Sequence, residues 1–458
     1  MIEKLRAEFD GVLFQPGEDG YDEARAVWNR AVDHRPAVIA RCGSPADVAA
    51  ALAHAQRSGL EIGVRCGGHN YAGAAVPDGG LTVDLRGMNR VVVDPVARRV
   101  RCGGGALQRE LDAAVQEHGL AVTGGTISHT GVGGLTLGGG MGWLTGRCGL
   151  AVDNLVGAEV VLADGRCVRA SADEHSDLLW ALRGGGGNFG VVTEFEFRLH
   201  PVGPLVHFGL QFWELERVAE AMRATRDLLD ELPRDAGALL FAINAPPAPF
   251  VPEEHHFRPG IALGLAGFAS PDAHAAMLAG VRDAVEPLFG FATPMPYTAL
   301  QSMLDESAMP GAAYAYGKSL YLEELSDAAI DTIAAMLPAK TSPLSLLPIF
   351  PLGGAFADVG EDETAFGGTR TLRYAVNMDA IALDAAGMAA DREWVRSLWT
   401  ALRPSAPHSG SYVNFMEEYE QERVRATYGP KYARLARIKA EYDPGNVFRR
   451  NANIPPAS

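Results

Sequence analysis

Within the six residues from Arg65 to Asn70 the chain places a cation, a thiol, two consecutive glycines, an imidazole and a carboxamide (Arg65-Cys66-Gly67-Gly68-His69-Asn70). Paired glycines leave consecutive backbone N–H groups free to converge on an anion such as a diphosphate, and Arg65 would add charge there. Read alone, the segment is better taken as a tight turn around one buried histidine. A second concentration follows from Gly124 to Gly146, ten glycines in 23 residues, with Val132, Leu135, Leu137, Met141, Trp143 and Leu144 threaded between them. It has no proline and no G-X-Y period, which excludes collagen-like and linker readings. A backbone that turns tightly and lies close to something fits better. The two clusters hold 12 of the chain's 53 glycines, a content that in 458 residues is well above the usual share of roughly 7%.

The elements expected to position these residues alternate between strands and helices. A strand at 37–41 leads through Ser44-Pro45, an N-cap followed by proline at N1, into a helix at 46–58 that stops at Gly59. The chain should return as a strand at 61–65, directly before the Arg65 segment. Further strands are expected at 81–85, 90–93, 99–102, 156–162 and 191–199, with a helix at 106–118. After Pro201, helices at 215–232, 272–288 and 327–337 alternate with strands at 238–244 and 260–268, and the tail carries a helix at 430–443. The pattern predicts an α+β chain whose second part is an antiparallel sheet covered by helices.

Other chemistries are excluded by order or spacing. Gly185-Gly-Gly-Asn-Phe-Gly190 satisfies G-x-G-x-x-G, but a strand follows it where a dinucleotide fingerprint needs a helix. Gly311 to Ser319 has five residues between its glycines where a phosphate loop has four. There is no H-E-x-x-H, no G-x-S-x-G and no C-x-x-C, and five cysteines make no disulfide framework. No metal site is expected. The formal charge of −16 disfavours nucleic acid and anionic membranes as partners. With charges from Glu3 to Asp10 where a leader would be apolar, the reading is cytoplasmic.

The two glycine segments, Arg65-Cys-Gly-Gly-His-Asn-Tyr-Ala-Gly73 and Thr123-Gly-Gly-Thr-Ile-Ser-His-Thr-Gly-Val-Gly-Gly-Leu-Thr-Leu-Gly-Gly-Gly-Met-Gly-Trp143, resemble those of the berberine bridge enzyme-like flavoproteins. These lie in the vanillyl alcohol oxidase/p-cresol methylhydroxylase (PCMH) superfamily, and the likeness is to the bacterial type with one covalent flavin link. It continues through Gly149 to Leu155, Ala163 to Gly165, Gly184 to Thr193, Tyr412-Val-Asn-Phe415, Tyr442 to Phe448 and Asn453-Ile-Pro-Pro456, with Asp362 to Phe366 and Arg370 as a landmark in the thinner middle.

The resemblance implies a two-domain PCMH-type fold: an FAD-binding domain at 1–203 made of two α+β subdomains, a substrate domain at 204–410, and a segment at 411–458 returning to the FAD domain. It implies an FAD bound covalently through His69, with Arg65, Cys66, Gly67, Gly68, Asn70, His129, Thr130, Gly131, Gly133, Gly134, Gly138, Gly139, Gly142, Gly190, Val192, Asn451 and Asn453 around it. Cys66 stands where the family has serine. Ile127 stands where some members carry a second, cysteinyl link, so a single linkage is expected, with Cys148 structural. His129 either touches the flavin or bonds a loop carbonyl. Thr130 occupies the position that gates oxygen, and its small side chain favours an oxidase. Tyr412 aligns with the family's base, taking a hydroxyl proton as a hydride passes to the flavin; otherwise it is a wall residue. Phe415 replaces a second tyrosine, and Tyr314, Tyr316, Lys318 and Tyr374 are the fallback bases. The apolar run Leu347-Pro-Ile-Phe-Pro-Leu suggests a hydrophobic or aromatic small-molecule substrate. The expected activity is oxidation of an alcohol or related C–H centre with O2 as acceptor. A dehydrogenase, an amine-oxidising relative and a flavin-binding protein without turnover are the alternatives.

Overall fold

The structure is a computed structural model that describes residues 2–406 and 410–457. Ser44 caps its helix as its sequence position requires: its Oγ accepts the Asp47 N–H at 3.2 Å, and Pro45 opens the helix Pro45–Arg57. That helix carries the chain across the first sheet, built from Val12–Phe14 (β1), Val38–Arg41 (β2), Ile62–Arg65 (β3) and Leu81–Asp84 (β4) in the order β1-β2-β4-β3. β2, β4 and β3 run parallel, and Ala40, Val48, Leu52 and Val83 fill the layer beneath them. Strand β3 ends at Arg65, so the paired glycines start where the sheet stops.

The second sheet is antiparallel: Val91–Asp94 (β5), Arg99–Gly103 (β6), Leu155–Val161 (β8), Cys167–Ser171 (β9) and Val191–Arg198 (β10), ordered β5-β6-β10-β8-β9. Between β6 and β8 lie the helix Gln108–Gln116, the two-residue strand Leu120–Ala121 (β7, paired with β11 at His200–Pro201) and the glycine-rich segment.

The third sheet has seven antiparallel strands: Leu205–Glu214 (β12), Ala236–Asn244 (β13), Pro259–Gly267 (β14), Phe289–Pro296 (β15), Tyr314–Leu322 (β16), Leu347–Pro351 (β17) and Tyr374–Ala382 (β18), ordered β15-β12-β14-β13-β17-β18-β16. Its two faces do different work. Leu240, Ala242, Leu347, Ile349, Val376 and Met378 pack under the helices Val218–Asp230, Asp327–Met336 and Ala385–Leu402. The alternate residues Leu239, Phe241, Pro348 and Phe350 look into a cavity. The tail then returns to the first part of the chain. Leu435, Ile438 and Tyr442 of the helix Tyr432–Tyr442 join the core of the second sheet. Lys439, fully buried, pairs with Asp443 at 2.6 Å and donates to the Asn188 and Phe448 carbonyls.

The α+β reading and the helix-covered antiparallel sheet agree with this architecture. Most expected elements shift by one or two residues at their ends, and two differences are larger. The helix expected at 272–288 ends at Ala284, because Pro287 lies ahead and Phe289 is already paired to Phe212 in β15. The helix expected from 215 begins at Val218, after a strand, β12, that was not anticipated. No helix among the described residues is long and apolar enough to cross a membrane.

Candidate active site

A single cavity of about 980 Å³ runs from the two glycine segments to the third sheet, at the upper end of the size usual for small-molecule sites. The glycines let two loops meet backbone to backbone. A Cβ on Gly67 would lie 2.4 Å from the Gly131 nitrogen, and one on Gly131 would lie 2.3 Å from the Gly67 nitrogen. Gly134 faces open space, and a Cβ on Gly187 would touch only Asn451 Nδ2 at 3.9 Å. Of the residues expected to surround a flavin, Cys66, Gly67, Gly68, His69, Asn70, Thr130, Gly131, Gly133, Gly134, Gly138, Gly190, Val192 and Asn451 line this cavity, as does Ile127.

His69 is partly buried, lines the cavity and stacks on Trp28 at 5.6 Å between ring centroids. Burial, with His129 beside it, lowers its pKa to about 3, so the imidazole is neutral at ordinary pH. Its Nε2 lies 2.7 Å from His129 Nδ1. Nδ1 of His69 makes no hydrogen bond among the described residues. His129 thus bonds neither a loop carbonyl nor the cavity directly: it sits behind His69, and its Nε2 is buried without a partner.

Five expected residues stand off the cavity wall. Arg65 is the clearest correction. Its guanidinium donates to the Ala24 and Ala26 carbonyls and is buried, with its pKa lowered by burial to about 10. It braces the N-terminal segment and is not aimed at an anion. Among the described residues the only Lys or Arg on the cavity wall is Arg450, which also pairs with Glu61 at 2.9 Å. Gly139 and Gly142 act through close packing: a Cβ on the first would meet the Tyr412 ring at 2.9 Å, and on the second the Gly124 carbonyl oxygen at 2.2 Å. His129 acts through His69. Asn453 lies in the tail with a partnerless buried Oδ1.

Tyr412 reaches the cavity with its ring edge-on to Phe415 at 4.8 Å. Its hydroxyl oxygen accepts the Gly140 N–H at 2.7 Å and an Asn414 Nδ2–H at 2.9 Å. Those donors favour the phenolate, but burial outweighs them and pushes the phenol up to about 12. The fallback bases are elsewhere. Tyr316 lies under Arg392 and Arg396, Lys318 pairs with Glu418, Tyr374 donates to Asp230, and neither they nor Tyr314 line the cavity.

The residues present suit FAD. Two glycine-rich loops offer backbone to a long ligand, a neutral imidazole has a free ring nitrogen, and one arginine lines the wall. Comparison with known proteins decides the family. The profile of the FAD binding domain matches residues 36–171, and that described as berberine and berberine like matches residues 411–455. The (R)-6-hydroxynicotine oxidase of Paenarthrobacter nicotinovorans is 33% identical over 97% of each chain. The chain belongs to the berberine bridge enzyme-like FAD-linked oxidases. It is an FAD-linked oxidoreductase with the PCMH-type fold. The solved 6-hydroxy-D-nicotine oxidase of Arthrobacter nicotinovorans superposes with a TM-score of 0.86 at 30% identity, covering 98% of both chains. The glucooligosaccharide oxidase of Acremonium strictum, which carries a 6-S-cysteinyl, 8α-N1-histidyl FAD, gives 0.87 at 26% identity, covering 99% of this chain and 98% of that one.

Sequence reasoning missed Trp28, Tyr71, Asn377, Asp379 and Arg450 on the cavity wall. One signal was available: Asn377 and Asp379 are two apart in an otherwise apolar strand, which puts both on one face.

Proposed function

We propose that this berberine bridge enzyme-like protein is an FAD-dependent oxidase of a small, largely apolar molecule, taking a hydride from a carbon bearing an alcohol or amine. The observation that carries the reading is the continuity of the cavity: His69 and the glycine loops line one part, aromatic side chains of the third sheet line the other, and Tyr412 shares the same space. Bound FAD supplies the two-electron acceptor and the route to O2. On this reading residues 1–203 and 411–458 hold the cofactor and residues 204–410 supply the roof. His69 carries the flavin through one covalent bond, since Ile127 cannot form a thioether, and His129 keeps its ring in place. Phe208, Phe241, Phe291 and Phe350 pack on the substrate and exclude water. Tyr412 holds the proton that leaves the substrate heteroatom, and Thr130 leaves oxygen a way in.

Two measurements test this. Protein denatured in SDS should remain yellow, and His69→Ala should release the colour; complete flavin loss from the unaltered protein would overturn the linkage. Screening apolar alcohols and amines anaerobically should find flavin bleaching, and admission of air should regenerate the colour with hydrogen peroxide. Bleaching that persists in air would make the protein a dehydrogenase.

A further inference from the structure

Two rings touch His69, and one short stretch of the third sheet's connections holds both. Strands β15 and β16 lie at opposite edges of that sheet, so the chain between them, residues 297–313, crosses its full width. On the way Met303, Leu304, Glu306, Ser307 and Ala308 pass along the cavity wall. Asp305 turns to the second glycine segment instead. Its Oδ1 accepts the Ser128 N–H at 2.7 Å and its Oδ2 accepts the Ser128 hydroxyl at 2.5 Å. No Lys, Arg or His among the described residues pairs with it.

Ser128 is 4% exposed and immediately precedes His129, whose Nδ1 meets His69 Nε2. Three residues after Asp305, the Ala308 carbonyl accepts the Trp28 Nε1–H at 2.9 Å. Trp28 stacks on the face of His69, and its backbone N–H donates to the Gly68 carbonyl at 3.0 Å. Residues 305–308 therefore hold the ring on the face of His69 and the ring at its edge. A carboxylate that gives both oxygens to one buried serine, with no cation beside it, contributes position rather than charge. What it positions also selects a tautomer. For the Nδ1 lone pair of His69 to be free, its proton must sit on Nε2, and His129 Nδ1 is the acceptor that keeps it there. His129 then carries its own proton on Nε2, the atom buried without a partner.

Resting on the reading that His69 carries the flavin, we propose that Asp305 is a positioning residue for that attachment: by gripping Ser128 it fixes the His129–His69 pair with the His69 Nδ1 lone pair free and set in direction. In the attachment an N–C bond forms between Nδ1 and the flavin methyl carbon, while one methyl C–H and the imidazole N–H break. The two protons and two electrons released pass to the flavin ring, and O2 removes them as hydrogen peroxide. Asp305 takes no part in the bond changes. Without it the Ser128 N–H and hydroxyl lose their acceptors in a buried setting, and the loop must shift to find others.

The test follows the linkage itself. Full-length protein from a riboflavin-starved host is given saturating FAD in air and sampled over time. Flavin fluorescence in SDS gels counts the linkage, and absorbance after gel filtration counts all bound flavin. Asp305→Ala should bind flavin but form the linkage at least about ten-fold more slowly than the parent, because a misplacement of about 1 Å at a reacting atom can cost roughly 100-fold. Asp305→Asn keeps an acceptor for the Ser128 N–H and gains a donor for its hydroxyl oxygen, so it should stay within about three-fold of the parent. If Asp305→Ala does not fold, Ser128→Ala, which loses one of the two bonds, should be slowed at least about three-fold. Linkage at the parent's rate in Asp305→Ala or Ser128→Ala, an Asp305→Asn as slow as Asp305→Ala, or a folded Asp305→Ala that binds no flavin would each overturn the proposal. A parent protein that forms no SDS-stable flavin would instead refute the linkage reading on which it rests.

Discussion

Replacing Tyr412 by Phe removes one oxygen, and the structure assigns that oxygen two separable contributions. The first is structural. The Gly140 N–H loses its acceptor, while Asn414 keeps its bond to the Leu135 carbonyl, so one buried donor is orphaned at about 1–3 kcal/mol. The second is chemical. With the phenol near 12, forming the phenolate at neutral pH costs on the order of 7 kcal/mol. If Tyr412 is the base, the phenolate fraction limits flavin reduction. The rate should then climb about ten-fold per pH unit through the accessible range with no plateau below about pH 10. Tyr412→Phe should abolish that climb and slow reduction by roughly 100- to 10,000-fold. Anaerobic stopped-flow bleaching, at a temperature well below the variant's melting point, isolates the chemical contribution from the structural one. A variant that bleaches within about three-fold of the parent and keeps its pH profile would refute the argument and return Tyr412 to the cavity wall.

Two other substitutions probe the surroundings. Gly139 has φ +140°, and a Cβ there meets the Tyr412 ring at 2.9 Å and Phe366 at 3.1 Å. Gly139→Ala should lower the melting temperature and slow flavin reduction by at least about ten-fold with Tyr412 intact; normal kinetics would show that the ring's position is not critical. Asp112, buried with Gln301 as its hydrogen-bond partner, has its pKa raised by burial to about 7. The folded protein therefore keeps this proton to higher pH than the unfolded chain, and stability falls as pH rises from about 4 through about 7. Asp379 and Glu417 titrate in the same direction, so Asp112→Asn should remove part of this slope. The variant should gain melting temperature over the parent at pH about 8.5 but not at about 4.5. An equal difference at both would rule out titration of this carboxyl.

Local sequence carried the elements whose rules are local. Ser44-Pro45 announces a helix start, and the glycine segments announce backbone laid against a ligand. The third sheet was only half legible, because each strand's partner lies far along the chain. β12 takes β14 on one edge and β15 on the other, and nothing within its ten residues says so. Arg65 shows the limit for sites. A cation before two glycines reads the same whether it faces a phosphate or the carbonyls of Ala24 and Ala26, some forty residues earlier. The Tyr71–Asp379 pair, separated by 308 positions, had no local signature at all.

The return of the tail bears on how the protein is made. Lys439 fastens the helix Tyr432–Tyr442 to Asn188, Tyr428 donates to the Gly184 carbonyl, and Asn451 donates to the Gly187 carbonyl. The loop 184–190 is thus secured by residues translated some 240 or more positions later, after the whole seven-stranded sheet. A ribosome-bound chain lacking that tail leaves this edge of the cavity open, so cofactor capture waits for the tail to emerge.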